Sequence, residues 1–395
     1  MSQPARICIS AAGANAGGAV TYLINLLSEL KNSENEEHYL VIAPQETLDV
    51  LSDSLSSPFI EAHTYPHPPV RQLRRIAFDQ FEVARLARRF SADVLFSANG
   101  FGTYQSPCPE ALLVRNGLYF SRLLETRMES IQHSTRSIQL RRLWSRLSIR
   151  GADSVIFPTQ AMQKRVGEFV SIPERKQGVI HYGFDRARFL SGESVGQETL
   201  APIQAWQDVG RKALLYVAGY AIHKNFETAI EGLARLLEEG IDVGLVLTAV
   251  RADWGDMVEF DALMERIREI GIEDRVCLTG AIPWSRLHSL YAACDLFLFP
   301  SFLESFGHPM IEAMASGLPT VAADTAVNRE ILGEAALYFS TFDSNELTRR
   351  VRQVLEEEGL SDSLRARGLE RAETFSWPEH AKRLRSHLLE LSGRR

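Results

Sequence analysis

No stretch of the 395 residues approaches the roughly 18–20 consecutive apolar positions of a membrane-spanning helix, so an integral membrane protein is not expected. Cysteine is scarce, and the four residues, Cys8, Cys108, Cys277 and Cys294, stand far apart. Neither Cys-x-x-Cys nor a Cys/His zinc spacing occurs, which excludes a disulfide scaffold and a structural zinc site and leaves inert thiols in a reducing compartment. The amino terminus Met-Ser-Gln-Pro-Ala-Arg6 runs straight into an apolar strand without a signal-peptide core, so a cytoplasmic location is expected. Repeats and low-complexity tracts are also missing.

What is present is enough apolar material for two cores, since the chain is longer than a single core usually grows. Short apolar runs alternate with helical patterns. The first series is Arg6-Ile-Cys-Ile-Ser10, Tyr39–Ala43, Asp93–Ser97, Ala111–Val114, Asp153–Phe157 and Gly178–Tyr182. The pattern lapses around Arg186 to Arg211 and resumes with Ala213–Gly219, Val243–Ala249, Arg275–Thr279, Asp295–Phe299 and Pro319–Ala323. Continuous apolar strands separated by helices imply parallel sheets covered on both faces, an α/β class with two doubly wound domains. The expected division is a first domain over 1–190, a linker over 191–210, a second domain over 211–375, and a last helix over 376–395 that crosses back to the first domain. Charge divides along the same line: residues 1–190 hold 22 Lys/Arg against 18 Asp/Glu, and residues 191–395 hold 21 against 32.

The most informative segment is Pro300-Ser-Phe-Leu-Glu-Ser-Phe-Gly-His-Pro-Met-Ile-Glu-Ala-Met-Ala-Ser-Gly-Leu-Pro319. It reads as a strand end, a loop, and a helix that starts near Gly307-His308-Pro309 and stops before Gly317. A helix origin offers unpaired N–H groups and a positive dipole end, both suited to an anion. Glu304 in the loop and Glu312 one turn into the helix would repel a diphosphate, so each is expected to address hydroxyl groups. Together these features describe a site for a sugar and a diphosphate.

With Phe299 to Ala323 as its core, the sequence closely resembles the E-x7-E region of retaining sugar-nucleotide glycosyltransferases of the GT-B fold, glycosyltransferase family 4. Ala152-Asp-Ser-Val-Ile-Phe-Pro-Thr159, Val179-Ile-His-Tyr-Gly-Phe-Asp185 and Asp274-Arg-Val-Cys-Leu-Thr-Gly280 follow in that family's order, so the likeness covers about residues 150 to 380. The resemblance implies two Rossmann-like domains facing a central cleft. It puts Glu304 against the transferred sugar and Glu312 on the nucleotide ribose, with the backbone of Gly307, His308, Pro309 and Met310 near sugar and phosphate. Lys224, in Gly219-x4-Lys, matches the family's phosphate lysine; Tyr220 stands where the family often has Arg, so charge neutralisation rests on Lys224. Gly17 and Gly18, in the small-residue loop after the first strand, match the Gly-Gly pair that lets this loop approach donor phosphates and acceptor. Arg115-Asn116 occupies a place where the family often has His followed by Asp or Asn. A guanidinium cannot serve as a base, so Arg115 and Asn116 are expected to meet an anionic acceptor or the phosphates.

The expected activity is therefore transfer of a hexose, of mannose or glucose type, from a UDP- or GDP-sugar to a hydroxyl of a glycan or lipid-linked acceptor, in polysaccharide, lipopolysaccharide or glycolipid synthesis. Asp-x-Asp, the metal-holding motif of other sugar transferases, occurs nowhere in the chain, so no metal or other cofactor is expected. Two other readings stay open: a nucleotide-sugar isomerase, similar to a UDP-sugar 2-epimerase, on the same scaffold, and a non-catalytic nucleotide-sugar-binding subunit. From Arg115 to Arg150 the chain carries eight arginines against Glu125 and Glu129. That segment suggests peripheral contact with the anionic inner face of a membrane. Nucleic acid is not an expected partner, since the whole chain is acidic and no stacking-aromatic motif accompanies the arginines. Closure on the donor is expected to hinge within Arg186 to Arg211 and near Trp377.

Overall fold

The computed structural model of the chain describes residues 4–14, 18–32, 37–65, 78–130, 134–250 and 257–393. It divides into two compact units, one comprising residues 1–121, 134–183 and 376–395, the other 122–133 and 184–375.

The first unit holds β1 (Arg6–Ser10), β2 (His38–Pro44), β3 (Ile60–Tyr65), β4 (Val94–Ser97), β5 (Glu110–Leu113), β6 (Ser154–Phe157) and β7 (Gln177–Val179) in one parallel sheet of order β3-β2-β1-β4-β5-β6-β7. The strands are short and apolar because both faces are covered: Ile7, Cys8, Val94, Leu95, Phe96, Leu112 and Val155 have no exposed surface. β3 was not expected from the sequence. It is an edge strand whose residues are mostly solvent-facing, so it lacks the apolar run that marks the others.

The last helix, Trp377–Leu391, groups with this unit. Ser376 caps it by accepting a hydrogen bond from the Glu379 N–H, and Pro378 sits in its first turn, where a missing N–H costs nothing. Its buried His380 points Nδ1 at the His181 carbonyl (2.7 Å) and Nε2 at the Tyr22 hydroxyl (3.1 Å). A carbonyl only accepts, so Nδ1 carries the proton and Nε2 accepts from Tyr22. Burial pushes this imidazole down to about 4, so it is neutral at physiological pH.

The second unit holds β8 (Lys212–Tyr216), β9 (Val243–Leu247), β10 (Val276–Leu278), β11 (Leu296–Phe299), β12 (Thr320–Ala323) and β13 (Ala336–Phe339), all parallel, in the order β10-β9-β8-β11-β12-β13. Residues 191–210, expected as a linker, instead include a helix, Gln197–Asp208, whose Trp206 ring occupies the space a side chain at Gly244 would need. Pro202 lies within that helix and obscured its period. The basic stretch is also divided. Its first helix, Arg122–Ser130, belongs to the second unit, where Arg127 lies 4.1 Å over the Phe342 ring; its second, Arg136–Gly151, belongs to the first.

In each sheet the strand order reverses once, between β1 and β4 and between β8 and β11. Loops leaving the carboxyl ends of strands at such a reversal diverge to opposite faces and open a crevice, which is where ligands of doubly wound sheets bind.

Candidate active site

In the second unit the two loops at the reversal are Val217–Asn225, after β8, and Pro300–Gly307, after β11. The β8 loop ends in a single 3-10 turn, Ile222–Lys224, followed by Asn225 in the left-handed region (φ 56°). Asparagine tolerates that conformation because its short side chain finds local partners. Here Asn225 Nδ2 donates to the Pro300 carbonyl (3.1 Å) and Oδ1 accepts from Thr228 (2.8 Å), so one buried side chain ties the β8 loop, the β11 loop and the following helix together. That helix, Phe226–Glu238, is held by Phe226, Ala229, Ile230, Leu233 and Leu236, spaced three or four apart and buried. Tyr216, fully buried on β8, donates its hydroxyl to the Lys224 carbonyl (2.7 Å). Lys224 is thus fixed at its backbone before its side chain does anything.

The Lys224 ammonium lies 2.6 Å from Glu304 Oε1, with about one-fifth of the lysine side chain and one-eighth of the glutamate side chain exposed. Ser301 Oγ is 2.7 Å from the same carboxylate oxygen and 3.2 Å from the His223 carbonyl; its single proton goes to the nearer, charged acceptor. Burial alone would raise the Glu304 carboxyl. The Lys224 ammonium, together with the Ser301 hydrogen bond, outweighs it and holds the group below its ordinary range. Adjacent His223 goes the other way: burial, then Lys224, push it down to about 4, so it adds no positive charge here.

Gly307 closes the β11 loop at φ 85°, a conformation that side chains avoid, and a Cβ there would lie 2.5 Å from Met310 Cε. Glu304 Cγ would be 3.8 Å from the same point, which places the carboxylate side chain at the origin of the helix His308–Ala315. Two of the expected backbone donors drop out. Pro309 has no N–H, and the Met310 N–H is donated to the Gly307 carbonyl while its side chain is buried. His308 is half-buried, its ring 5.1 Å from that of Phe306.

Glu312 is only 4% exposed. Its Oε1 accepts from Trp284 Nε1 (3.1 Å) and its Oε2 from the Tyr291 hydroxyl (2.9 Å). Burial raises its carboxyl to about 7, against the lowering effect of those two hydrogen bonds. Trp284 and Tyr291 were not singled out from sequence. They come from a different strand-to-strand connection, and no local signal links them to Glu312. Tyr220, at the position of the resembled family's arginine, packs among Phe226 and Phe260 and donates to Glu227 (3.1 Å).

The first unit places its candidate residues together as well. A Cβ on Gly18, at the start of the helix Gly18–Asn32, would lie 3.6 Å from Arg115 Nη2, and the Arg115 guanidinium lies 5.7 Å over the Tyr22 ring. Arg115 is half-buried and has no hydrogen-bonded acid among the described residues. Asn116 serves the local backbone, where its Oδ1 accepts from the Leu118 N–H (3.0 Å) and caps the turn Gly117–Phe120. Gly17 lies outside the described residues.

Residues 16–188 match a family model described as Glycosyltransferase Family 4, and residues 203–371 match one described as Glycosyl transferases group 1. The O-antigen chain mannosyltransferase B of Escherichia coli is 30% identical over 181 residues, 46% of this chain and 46% of that protein. Mannosylfructose-phosphate synthase of Agrobacterium fabrum is 29% identical over 240 residues, 60% of this chain and 52% of that protein. The chain therefore spans about half the length of these curated relatives in the matched regions. Among solved structures, HepE of Anabaena in complex with UDP-glucose aligns with a TM-score of 0.73 at 19% identity, covering 98% of this chain and 99% of that one, a likeness of fold.

Proposed function

The chain belongs to the glycosyltransferases of the GT-B fold, and from that premise we propose that it is a retaining, metal-independent hexosyltransferase that uses a UDP- or GDP-hexose. The acceptor in this reading is a hydroxyl of a glycan or lipid-linked saccharide. The observation that carries it is the Lys224–Glu304 pair, 2.6 Å apart at the reversal of the second sheet. Its two charges suit the two ends of one reaction. As the bond from the anomeric carbon to the diphosphate breaks, negative charge grows on the leaving phosphate and positive charge on the sugar ring. Lys224 meets the first and Glu304 the second.

Glu304 is ionised at neutral pH because its carboxyl is held low, so it can steady a cation but cannot donate a proton. In a front-face displacement the acceptor oxygen bonds to the anomeric carbon on the side the diphosphate leaves. Its proton passes to the departing phosphate oxygen, and no protein base is needed. Glu312 takes the ribose hydroxyls, since a carboxylate bonded by Trp284 and Tyr291 keeps lone pairs for them. Arg115 takes an anionic group of the acceptor or donor. The mannosyl and saccharide-phosphate names of the relatives, and the UDP-glucose of HepE, support a hexose on a nucleotide.

The test is a panel of UDP- and GDP-hexoses read by thermal shift and then by transfer, with EDTA throughout. A bound donor at 100 times its Kd should stabilise the protein by about 2.7 kcal/mol. The accepted donor should give at most slow hydrolysis alone and a new glycoside with acceptor. Conversion of the donor into its epimer without acceptor, or complete loss of transfer in EDTA, would overturn the reading.

A further inference from the structure

The turn after β13 places a large side chain where the backbone resists one. Residues 340–343 close on a hydrogen bond from the Asp343 N–H to the Ser340 carbonyl (2.9 Å), and Phe342, third in the turn, has φ 73°. Turns give that conformation to glycine or asparagine, and a bulky side chain adopts it only at a cost in energy. The surroundings hold the strain in place. Asp343 caps the helix Ser344–Glu356 by accepting from the Glu346 N–H (2.9 Å), and the Glu346 carboxylate reaches back to accept from the Ser340 N–H (2.7 Å) and hydroxyl (2.6 Å). Glycine would form the same turn without strain, so it is the ring, not the turn, that calls for phenylalanine.

The Phe342 ring meets that of Phe302, with centroids 5.2 Å apart, and the Arg127 guanidinium lies 4.1 Å over it. Phe302 is buried in the β11 loop directly after Ser301, whose hydroxyl bonds Glu304. Its N–H donates to the His223 carbonyl (3.0 Å), one residue before Lys224, so Phe302 is fastened to both loops of the charge pair. Arg127 belongs to the helix Arg122–Ser130, which also packs against the turn Ile222–Lys224. That helix comes from the connection between β5 and β6 of the first sheet, yet it groups with the second unit. Leu124 is its one buried residue, so apolar packing alone gives it little hold there.

We propose that Phe342 and Arg127 are positioning residues for the transfer step. The strained turn presents the ring, Arg127 clasps it, and the ring holds the β11 loop so that Glu304 stays in place as the bond from sugar to diphosphate breaks. This rests on the role proposed above for the Lys224–Glu304 pair. Phe342 touches Phe302 and acts on the rate only through the placement of Glu304. Without the ring the loop spreads over several positions, and only some of them set the carboxylate beside the developing cation. Donor affinity draws on other groups as well and changes less.

The experiment joins transfer kinetics, thermal unfolding and amide hydrogen exchange on variants of the full chain. Phe342→Gly relieves the strain and deletes the ring: kcat should fall on the order of 10-fold while donor KM stays within about 2-fold. Its Tm should move little, since relieved strain offsets lost packing. Phe342→Tyr keeps both ring and strain and should restore kcat to near wild type. Arg127→Met should lower kcat about 2- to 5-fold, and Arg127→Lys should recover part of the loss. The double variant R127M/F342G should be no slower than F342G, because the guanidinium acts through the ring. Exchange over residues 301–306 should quicken in Phe342→Gly and not in Phe342→Tyr, a readout independent of catalysis. Wild-type kcat and exchange in Phe342→Gly would overturn the proposal, as would an equal loss of kcat in Phe342→Tyr. Full transfer rate in Glu304→Gln would overturn the reading of the charge pair instead, and faster exchange in Phe342→Gly would still establish Phe342 as the hold on the loop.

Discussion

The two sheets reverse their strand order in the same way, yet the two reversals hold opposite kinds of chemistry. Beyond β8 and β11 a lysine and a glutamate are locked together, fixed through Asn225, Ser301 and Tyr216. Beyond β1 and β4 the chain offers mainly small residues, Ala11 to Ala14 and Ala98 to Gly100; the Glu110 carboxyl lies against Ser97 at the end of β4, and Arg115, close to Gly18, has no carboxylate partner among the described residues. A shared architecture therefore fixes where a site can lie but not what it does. On the proposed reading, the second unit's charge pair serves a group whose bond is breaking. The first unit's Arg115 serves an anionic group of the acceptor or donor.

The largest effect should come from breaking the pair. Glu304→Gln keeps the shape and the Ser301 contact but removes the negative charge, and kcat should fall about 100-fold or more while donor affinity changes little. Lys224→Met should lower kcat and weaken nucleoside diphosphate binding together. If the two residues act on one transition state from opposite ends, the double variant should lose less than the product of the single losses. Full transfer rate in a folded Glu304→Gln protein would make the contrast between the two units empty.

How far this contrast could be read from sequence depends on distance along the chain. The strands buried on both faces were legible as apolar runs. The edge strands β3 and β13 were not: β3 is largely solvent-facing, and the two middle residues of β13, Leu337 and Tyr338, are only half-buried. Glu304, Gly307 and Glu312 were legible because loop, glycine and helix origin are contiguous. Their partners were less so. Trp284 and Tyr291 reach Glu312 from another connection, and Asn225 holds two loops from a left-handed conformation that no neighbouring residue announces. The cap at Asn116 did carry a signal, an asparagine just before Gly-Leu, but its match to the resembled family pointed to ligand binding instead.

A second comparison sets Glu312 against Glu110, a buried carboxylate of the first unit that accepts from Ser97 (2.6 Å) and the Thr103 N–H (2.9 Å) at the amino end of β5. Burial raises each to about 7. Each holds a proton in the native state that the unfolded chain has already lost above pH 4.5, so each makes stability fall as pH rises from about 4.5 to about 7. His223 and His380, lowered to about 4, contribute the opposite slope between about 4 and 6.5, so only the difference from a variant isolates a glutamate. Glu312→Gln and Glu110→Gln should each remove a loss of roughly 3 kcal/mol across that window, measured by urea unfolding at a series of pH values. Donor binding should separate them. Wild type and Glu110→Gln should bind nucleotide sugar more tightly as pH passes 7, while Glu312→Gln should bind about 10-fold more weakly with no such rise. Equal donor affinity in all three would remove Glu312 from the ribose.

The smallest effect tests whether the first unit's residues are chemical or architectural, and it falls on Asn116. Its side-chain oxygen caps the turn Gly117–Phe120, whose Tyr119 and Phe120 are buried against the core that includes Phe157 and Met162. Losing an N-cap costs about 1 kcal/mol, so Asn116→Ala should lower the unfolding free energy by about that amount. At a temperature where the variant is fully folded, kcat and the acceptor KM should stay near wild type. Arg115→Met should do the reverse, changing stability by about 1 kcal/mol or less, since the half-buried guanidinium lies over the Tyr22 ring without a hydrogen-bonded acid, and raising the acceptor KM. A large loss of transfer in Asn116→Ala without loss of stability would move Asn116 from the scaffold into the binding site. The first unit would then resemble the second more than its described contacts suggest.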